Sequence, residues 1–237
     1  MSRTWRDIWT QRALRGGDDD LLQRLLELDG FDTSLGGITP PAWRAYVDDI
    51  ADRLNITAQS TVTEVGCGGG AFLYPLHQRG CAVGGIDYSQ AMVDVARAVM
   101  PEGRFAAQDA CDLHPAPKSD FVVSSGVFFY FPDQAYAAAV ATRMLAAART
   151  AIAILDVSDL ARETEAHRLR RGHLSEAAYA ERYKGLDHLY LDRDWLRDTL
   201  LRAGACTVEI EDQSIEGYGN AAYRFNAFAW LPPADDA

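Results

Sequence analysis

Residues 61–70 read Thr-Val-Thr-Glu-Val-Gly-Cys-Gly-Gly-Gly, a β-branched run that reaches an acid and then breaks into glycines. Val62 and Val65 favour a buried extended strand, while Gly66, Gly68 and Gly70 let the chain turn sharply with its backbone close to a ligand. Asp87 lies 21 positions beyond Gly66, where a carboxylate at the end of the next strand receives ribose hydroxyls. The segment therefore predicts a nucleotide crevice.

Two ligands compete for that crevice. A dinucleotide fold would use Gly66, Gly68 and Ala71 as G-x-G-x-x-A, with a pyrophosphate on the following helix N-terminus. S-adenosylmethionine has no phosphate; it carries an amino acid group, a sulfonium and an adenosine, and its cationic end needs acceptors such as Glu64. Asp109 follows the extended segment 104–107 and is placed to accept from an adenine amino group. Acids at the ends of the first three strands (Glu64, Asp87, Asp109) suit the adenosylmethionine site better than a dinucleotide site.

With these residues the chain resembles the class I S-adenosylmethionine-dependent methyltransferases over residues 42–230. Residues 64–70 look like that family's first motif, Gly85-Ile86-Asp87-Tyr88-Ser89 its second, Gln108-Asp109-Ala110 its third, and residues 120–125 its fourth strand. The Leu-Lys-Pro-Gly-Gly turn common before the family's fifth strand is replaced by Leu145-Ala-Ala-Ala-Arg-Thr150. The resemblance implies a Rossmann-like α/β fold: a seven-stranded, mainly parallel sheet with a C-terminal antiparallel hairpin and helices on both faces. It implies cofactor contacts from Glu64, Gly66, Cys67, Gly68, Gly70, Asp87, Tyr88, Asp109, Ala110, Ser125 and Gly126.

Along the chain, residues 1–41 are expected to form a helical cap, with amphipathic helices around Trp5, Ile8 and Trp9 and over 20–29. Pro40 and Pro41 open a helix carrying Trp43, Tyr46, Ile50 and Leu54, since proline costs little in a first turn. The core (42–231) then alternates: strand 62–65, helix 70–79, strand 82–86, helix 89–99, strands 104–107 and 120–125, helix 133–147, strand 151–156. A capped helix start at Asp192, a stop at Gly204, and strands 206–210 and 225–230 complete it. Residues 159–191 form an insertion on the substrate side, and 232–237 a tail expected to be disordered.

A net charge of −11 argues against a phosphate backbone as the main partner and favours a small-molecule acceptor. The four cysteines and five histidines show no metal-ligand spacing, so no metal is expected, and the thiols are expected free and mostly buried. With no leader-like segment and no long apolar run, a cytoplasmic protein away from membranes is expected. The sequence does not specify an oligomeric state.

Acceptor chemistry is expected from several places. Of the aromatics at 128–131, at least one, Phe128 or Tyr130, is expected in the acceptor pocket and the others in the core. Trp9 either covers the cofactor or clasps the N-terminal helix to the core. Arg168 and Arg171, with Arg170, form either a solvated face or a receptor for an acceptor carboxylate or phosphate, with Tyr190 nearby. His188, in a short aromatic segment, is the candidate base, with Tyr218 and Glu216 of the last hairpin loop as alternatives. The expected reaction is methyl transfer from S-adenosylmethionine to oxygen or nitrogen of a small molecule, leaving S-adenosylhomocysteine; the acceptor would come from specialised metabolism or be a sugar. The rival readings are a protein that binds the cofactor without transfer, as cyclase or regulator, and a dinucleotide oxidoreductase.

Overall fold

The computed structural model describes residues 4–14, 16, 20–31 and 37–233. Seven strands form one sheet: β1 (Thr61–Val65), β2 (Ala82–Asp87), β3 (Arg104–Ala107), β4 (Ser119–Ser125), β5 (Ala148–Ser158), β6 (Thr207–Asp212) and β7 (Arg224–Trp230). Their order is β3-β2-β1-β4-β5-β7-β6. The first five run parallel, and β7 lies antiparallel between β5 and β6. This is the Rossmann-like arrangement expected, hairpin included. Because strand order reverses between β1 and β4, the loops at their carboxyl ends diverge and leave a crevice.

Side chains alternate across each strand, so β4 and β5 serve two cores. Phe121, Val123, Ala151, Ala153 and Leu155 face a layer containing α3 (Pro40–Leu54), α4 (Leu73–Gln78) and α5 (Gln90–Val99), with α2 (Leu21–Leu28) packed onto it. Val122, Ile152 and Ile154 face α6 (Gln134–Ala147) and α9 (Arg193–Arg202). The Thr39 hydroxyl caps α3, Pro40 and Pro41 occupy its first turn, and Asn55 ends it with φ of 59°. Its fully buried Trp43 donates Nε1–H to the Ala71 carbonyl at 2.9 Å, which fastens the stretch just after the glycines.

Some boundaries differ from expectation. The helix expected at 70–79 begins only at Leu73, because residues 66–72 are spent on the turn. Helix α6 runs into β5 without a loop, since residues 145–150 contain neither glycine nor proline. Strand β5 continues to Ser158 through a bulge at Asp156, whose φ is 60° and whose N–H donates to Asn226 Oδ1. The 159–191 insertion is pinned at its base by Leu191 N–H to Ser158 O and Leu160 N–H to Leu191 O. It carries α7 (Glu163–Arg171) and α8 (Glu176–Arg182). Before the sheet, α1 (Trp5–Trp9) is closed by a Thr4–Asp7 capping box. All four cysteines are free, but only Cys67 and Cys81 are buried; Cys111 is half-buried and Cys206 exposed. Among the described residues no helix is long and apolar enough to cross a membrane. Residues 234–237 of the expected tail lie outside the described residues.

Candidate functional site

The glycine turn is built from backbone that only glycine adopts readily. Gly66 and Gly68 have φ of 74° and 51°. A Cβ on Gly66 would sit 2.5 Å from a methyl of Val127. The Gly66 and Cys67 N–H groups donate to Ile86 O at 2.8 and 3.0 Å, which ties the turn to β2. Gly68 N–H donates to Asp87 Oδ2 at 3.0 Å, and Ser89 N–H to Asp87 Oδ1 at 2.8 Å. Asp87 is thereby fixed at the end of β2, while burial pushes its carboxyl above the ordinary range.

Around this turn opens a cavity of about 590 Å³. It is lined by Glu64, Gly66, Cys67, Gly68, Asp87, Tyr88, Asp109, Ala110, Ser125 and Gly126, and on its far side by Trp9, Tyr130 and His188. Asp109 Oδ1 accepts from Cys111 N–H at 3.0 Å and from the Tyr136 hydroxyl. Glu64 is 3% exposed; burial first, then Asp29 and Asp87, hold its carboxyl well above the usual range. Among the described residues eight buried side-chain polar atoms lack a hydrogen-bond partner. Four of them, Trp9 Nε1, Glu64 Oε2, Ser125 Oγ and His188 Nε2, belong to the walls of this one cavity. Buried polar groups are rarely left unpaired, so such a concentration marks a place for a ligand.

The opposite wall is aromatic and comes from three separate segments. The Trp5 ring of α1 lies 4.7 Å from Tyr130 and 5.1 Å, stacked, from His188, and its Nε1–H donates to Asp187 O at 2.9 Å. Trp9 meets Tyr130 at 5.5 Å. The Arg6 guanidinium lies over the Tyr88 ring at 5.2 Å. His188 also packs on Phe129 at 4.8 Å. Burial, reinforced by Arg170, Arg224 and His167, depresses its pKa well below the ordinary 6.5, so the ring is neutral near pH 7.

Seven residues expected at the site do not line the cavity. Gly70, with φ of 96°, makes room for Met100, whose Cε would be 2.4 Å from a Cβ there. Phe128 is 1% exposed and packs on Phe131 within the α6 core. Tyr190 packs against His167 at 5.5 Å. Tyr218 is buried with its hydroxyl donating to Asp156 Oδ2 at 2.9 Å; burial and that carboxylate raise its pKa far from a base's range. Glu216 is exposed on the same loop. Helix α7 buries no residue: Arg168 stays on its outer side, and Arg171 bonds Glu176 at 3.1 Å. Arg170 alone turns inward, over Trp5 at 5.6 Å and donating to Leu186 O.

The sequence reading missed Asp29, Trp5, Arg6 and Tyr136 as cavity residues. Asp29, at the end of α2, accepts from Gly69 N–H at 2.7 Å and Ala71 N–H at 3.0 Å. No local pattern announces it, because it meets the glycine turn from 40 residues away. Trp5 had a signal in the amphipathic aromatic pattern of α1.

Residues 62–150 match a family model described as a methyltransferase domain. Among curated proteins, the chain is 28% identical over 166 residues to a trans-aconitate 2-methyltransferase of Methylobacterium nodulans, covering 68% of this chain and 63% of that one. It is 38% identical over 71 residues to the protein of that name from Delftia acidovorans, covering 29% of this chain and 26% of the other. The matches thus span less than two thirds of the length of these relatives. Among solved structures, magnesium protoporphyrin IX methyltransferase from Synechocystis with bound SAH superposes with a TM-score of 0.61 at 19% identity, over 96% of this chain and 92% of that one. A Haemonchus contortus phosphoethanolamine N-methyltransferase 2 gives 0.58 at 17%, over 92% and 61%. At such identities the superpositions speak for the fold. The domain match runs from β1 through the glycine turn to the start of β5, so over residues 62–150 the chain is similar to a methyltransferase domain.

Proposed function

We propose that this protein transfers the methyl group of S-adenosylmethionine to an oxygen or nitrogen of a small-molecule acceptor. The observation that carries the reading is the cavity's division into two halves. Acids stand near the ends of β1, β2 and β3 on one side, aromatic rings with a neutral histidine stand on the other, and four of the lining side chains carry a buried polar atom without a hydrogen-bond partner. In this reading Glu64 receives the ammonium, Asp87 the ribose hydroxyls, and Asp109 with the Ala110 backbone the adenine amine. When bound, the sulfonium supplies an activated methyl group for in-line displacement, so the protein's main task is positioning.

His188 is the proposed base. Its Nε2 has no partner and its ring is neutral, so it is ready to accept a proton from an acceptor hydroxyl or amine. Trp5 and Trp9 of α1 form the proposed lid that excludes water. An acceptor bearing a carboxylate suits the Arg6 side of the rim, and the trans-aconitate relatives carry that name.

The test has two arms. Calorimetry should show S-adenosylhomocysteine binding with no comparable affinity for NAD or NADP; tight NAD binding alone defeats the proposal. Radiolabelled S-adenosylmethionine with a panel of carboxylate, hydroxyl and amine metabolites should then yield labelled product. Cofactor binding with no transfer to any acceptor would favour the reading of a non-transferring binder.

A further inference from the structure

Two carboxyl groups from separate elements lie at the glycine turn, and among the described residues neither forms an ion pair. Glu64, the penultimate residue of β1, is 3% exposed and leaves Oε2 without a hydrogen bond. Asp29 ends α2 and lays both oxygens on the turn, against Gly69 N–H and Ala71 N–H. A Cβ on Gly68 would lie 2.5 Å from Asp29 Oδ1, so the carboxylate rests directly on the turn. Both residues line the cavity. Among the described residues no ion pair reaches either carboxyl. Arg12 is the guanidinium that acts on Asp29 from beyond α1, and its Nη1 donates to the Glu27 and Leu28 carbonyls. The other groups facing the pair are Asp87 from β2 and the Cys67 thiol in the turn.

Like charges enclosed together cannot all stay ionised cheaply, so such a cluster keeps a proton until a cation enters. We propose that Asp29 and Glu64 together form the receptor for the ammonium of the zwitterionic amino-acid end of the S-adenosyl ligand, and that the pair releases a proton when that ammonium binds. This rests on the cofactor reading above and adds Asp29, a residue outside the sequence motifs, together with a proton linkage. Burial raises both carboxyls, Asp29 to about 7, which places the exchange near neutrality. Affinity for a ligand carrying the ammonium should therefore rise with pH between about 5.5 and 7, approaching tenfold per pH unit for one proton released. A ligand without the ammonium should show no such rise.

The experiment is calorimetry on the full chain at pH 6 in two buffers of different ionisation enthalpy, titrating S-adenosylhomocysteine and, separately, 5′-methylthioadenosine, which lacks the amino-acid end. The expected result is release of on the order of one proton with the first ligand and none with the second. Asp29→Asn should release less and bind S-adenosylhomocysteine with a flatter pH profile. Binding of S-adenosylhomocysteine without proton release overturns the inference while leaving the cofactor reading intact. Equal release with both ligands overturns it as well, in wild-type protein and whatever the folding of the variant. If neither ligand binds, the cofactor reading falls and takes this inference with it.

Discussion

Replacing Asp29 with asparagine should change the stability of the free protein relative to wild type in a way that becomes more favourable as pH rises. Asp29 titrates at about 7 in the fold against an ordinary value of 3.8. A folded protein with a raised carboxyl pKa binds more protons than the unfolded chain, so stability is fully present below pH 3.8 and is lost as pH rises through 7. At 1.36 kcal/mol per unit the whole loss is about 4 kcal/mol, with water in the cavity reducing it. Between pH 5 and pH 8 the share lost is about 2.5 kcal/mol. Asparagine escapes this loss but accepts through one oxygen, so either Gly69 N–H or Ala71 N–H loses its partner at a pH-independent cost of about 1–3 kcal/mol. The slope is therefore the diagnostic. Denaturant unfolding of both proteins at pH 5, 6, 7 and 8 should show the variant gaining on the wild type by about 2.5 kcal/mol across the series, equivalent to roughly 5–10 °C in Tm at this chain length. Both proteins should retain a residual slope from Glu64 and Asp87, whose carboxyls are also raised by burial. Parallel stability curves would refute the argument and show that Asp29 is ionised throughout.

Three further outcomes are expected. Asp87→Ala should weaken S-adenosylhomocysteine binding by about 1–3 kcal/mol, or roughly 5- to 150-fold in Kd, because charge-assisted hydrogen bonds are the strong ones; an unchanged Kd by calorimetry places the ribose elsewhere. His188→Ala should lower kcat by about 10²–10⁴-fold with cofactor binding nearly intact, and kcat/KM in the wild type should fall only as pH drops below 6.5, since the depressed pKa keeps the ring neutral further into acid. Persistence of that acid limb in the variant would assign it to another group. Tyr218→Phe should cost about 1–3 kcal/mol of stability by removing the hydrogen bond to buried Asp156, with cofactor affinity unchanged; a large loss of kcat without a fall in Tm would contradict the structural role given to Tyr218.

Much of the acid-lined half of the cavity was legible because its signals are local. Each acid stands where a short strand ends, and a strand's end is marked by glycine or by a change of period, so Glu64, Asp87 and Asp109 are found from spacing. The aromatic half was legible only in part. His188 and Tyr130 were singled out from aromatic-rich segments and both line the cavity. The arginine cluster, read as either a solvated face or an anion receptor, divides for a geometric reason: on a helix 100° separates successive residues, so Arg170 faces Trp5 while Arg168 is exposed and Arg171 turns to Glu176.

The chain order of strands and helices, the glycine turn and the strand-end acids are properties of the sequence by itself, since local propensity and periodicity dictate them over a few residues at a time. Tertiary structure alone decided the rest. It brought Asp29 onto the turn from 40 residues away, turned the Tyr218 hydroxyl onto Asp156 across 62 residues, and folded Trp5 over His188. Those contacts depend on how α1, α2 and the last hairpin pack on the sheet, and packing is set by the whole core at once, so no window of sequence contains them.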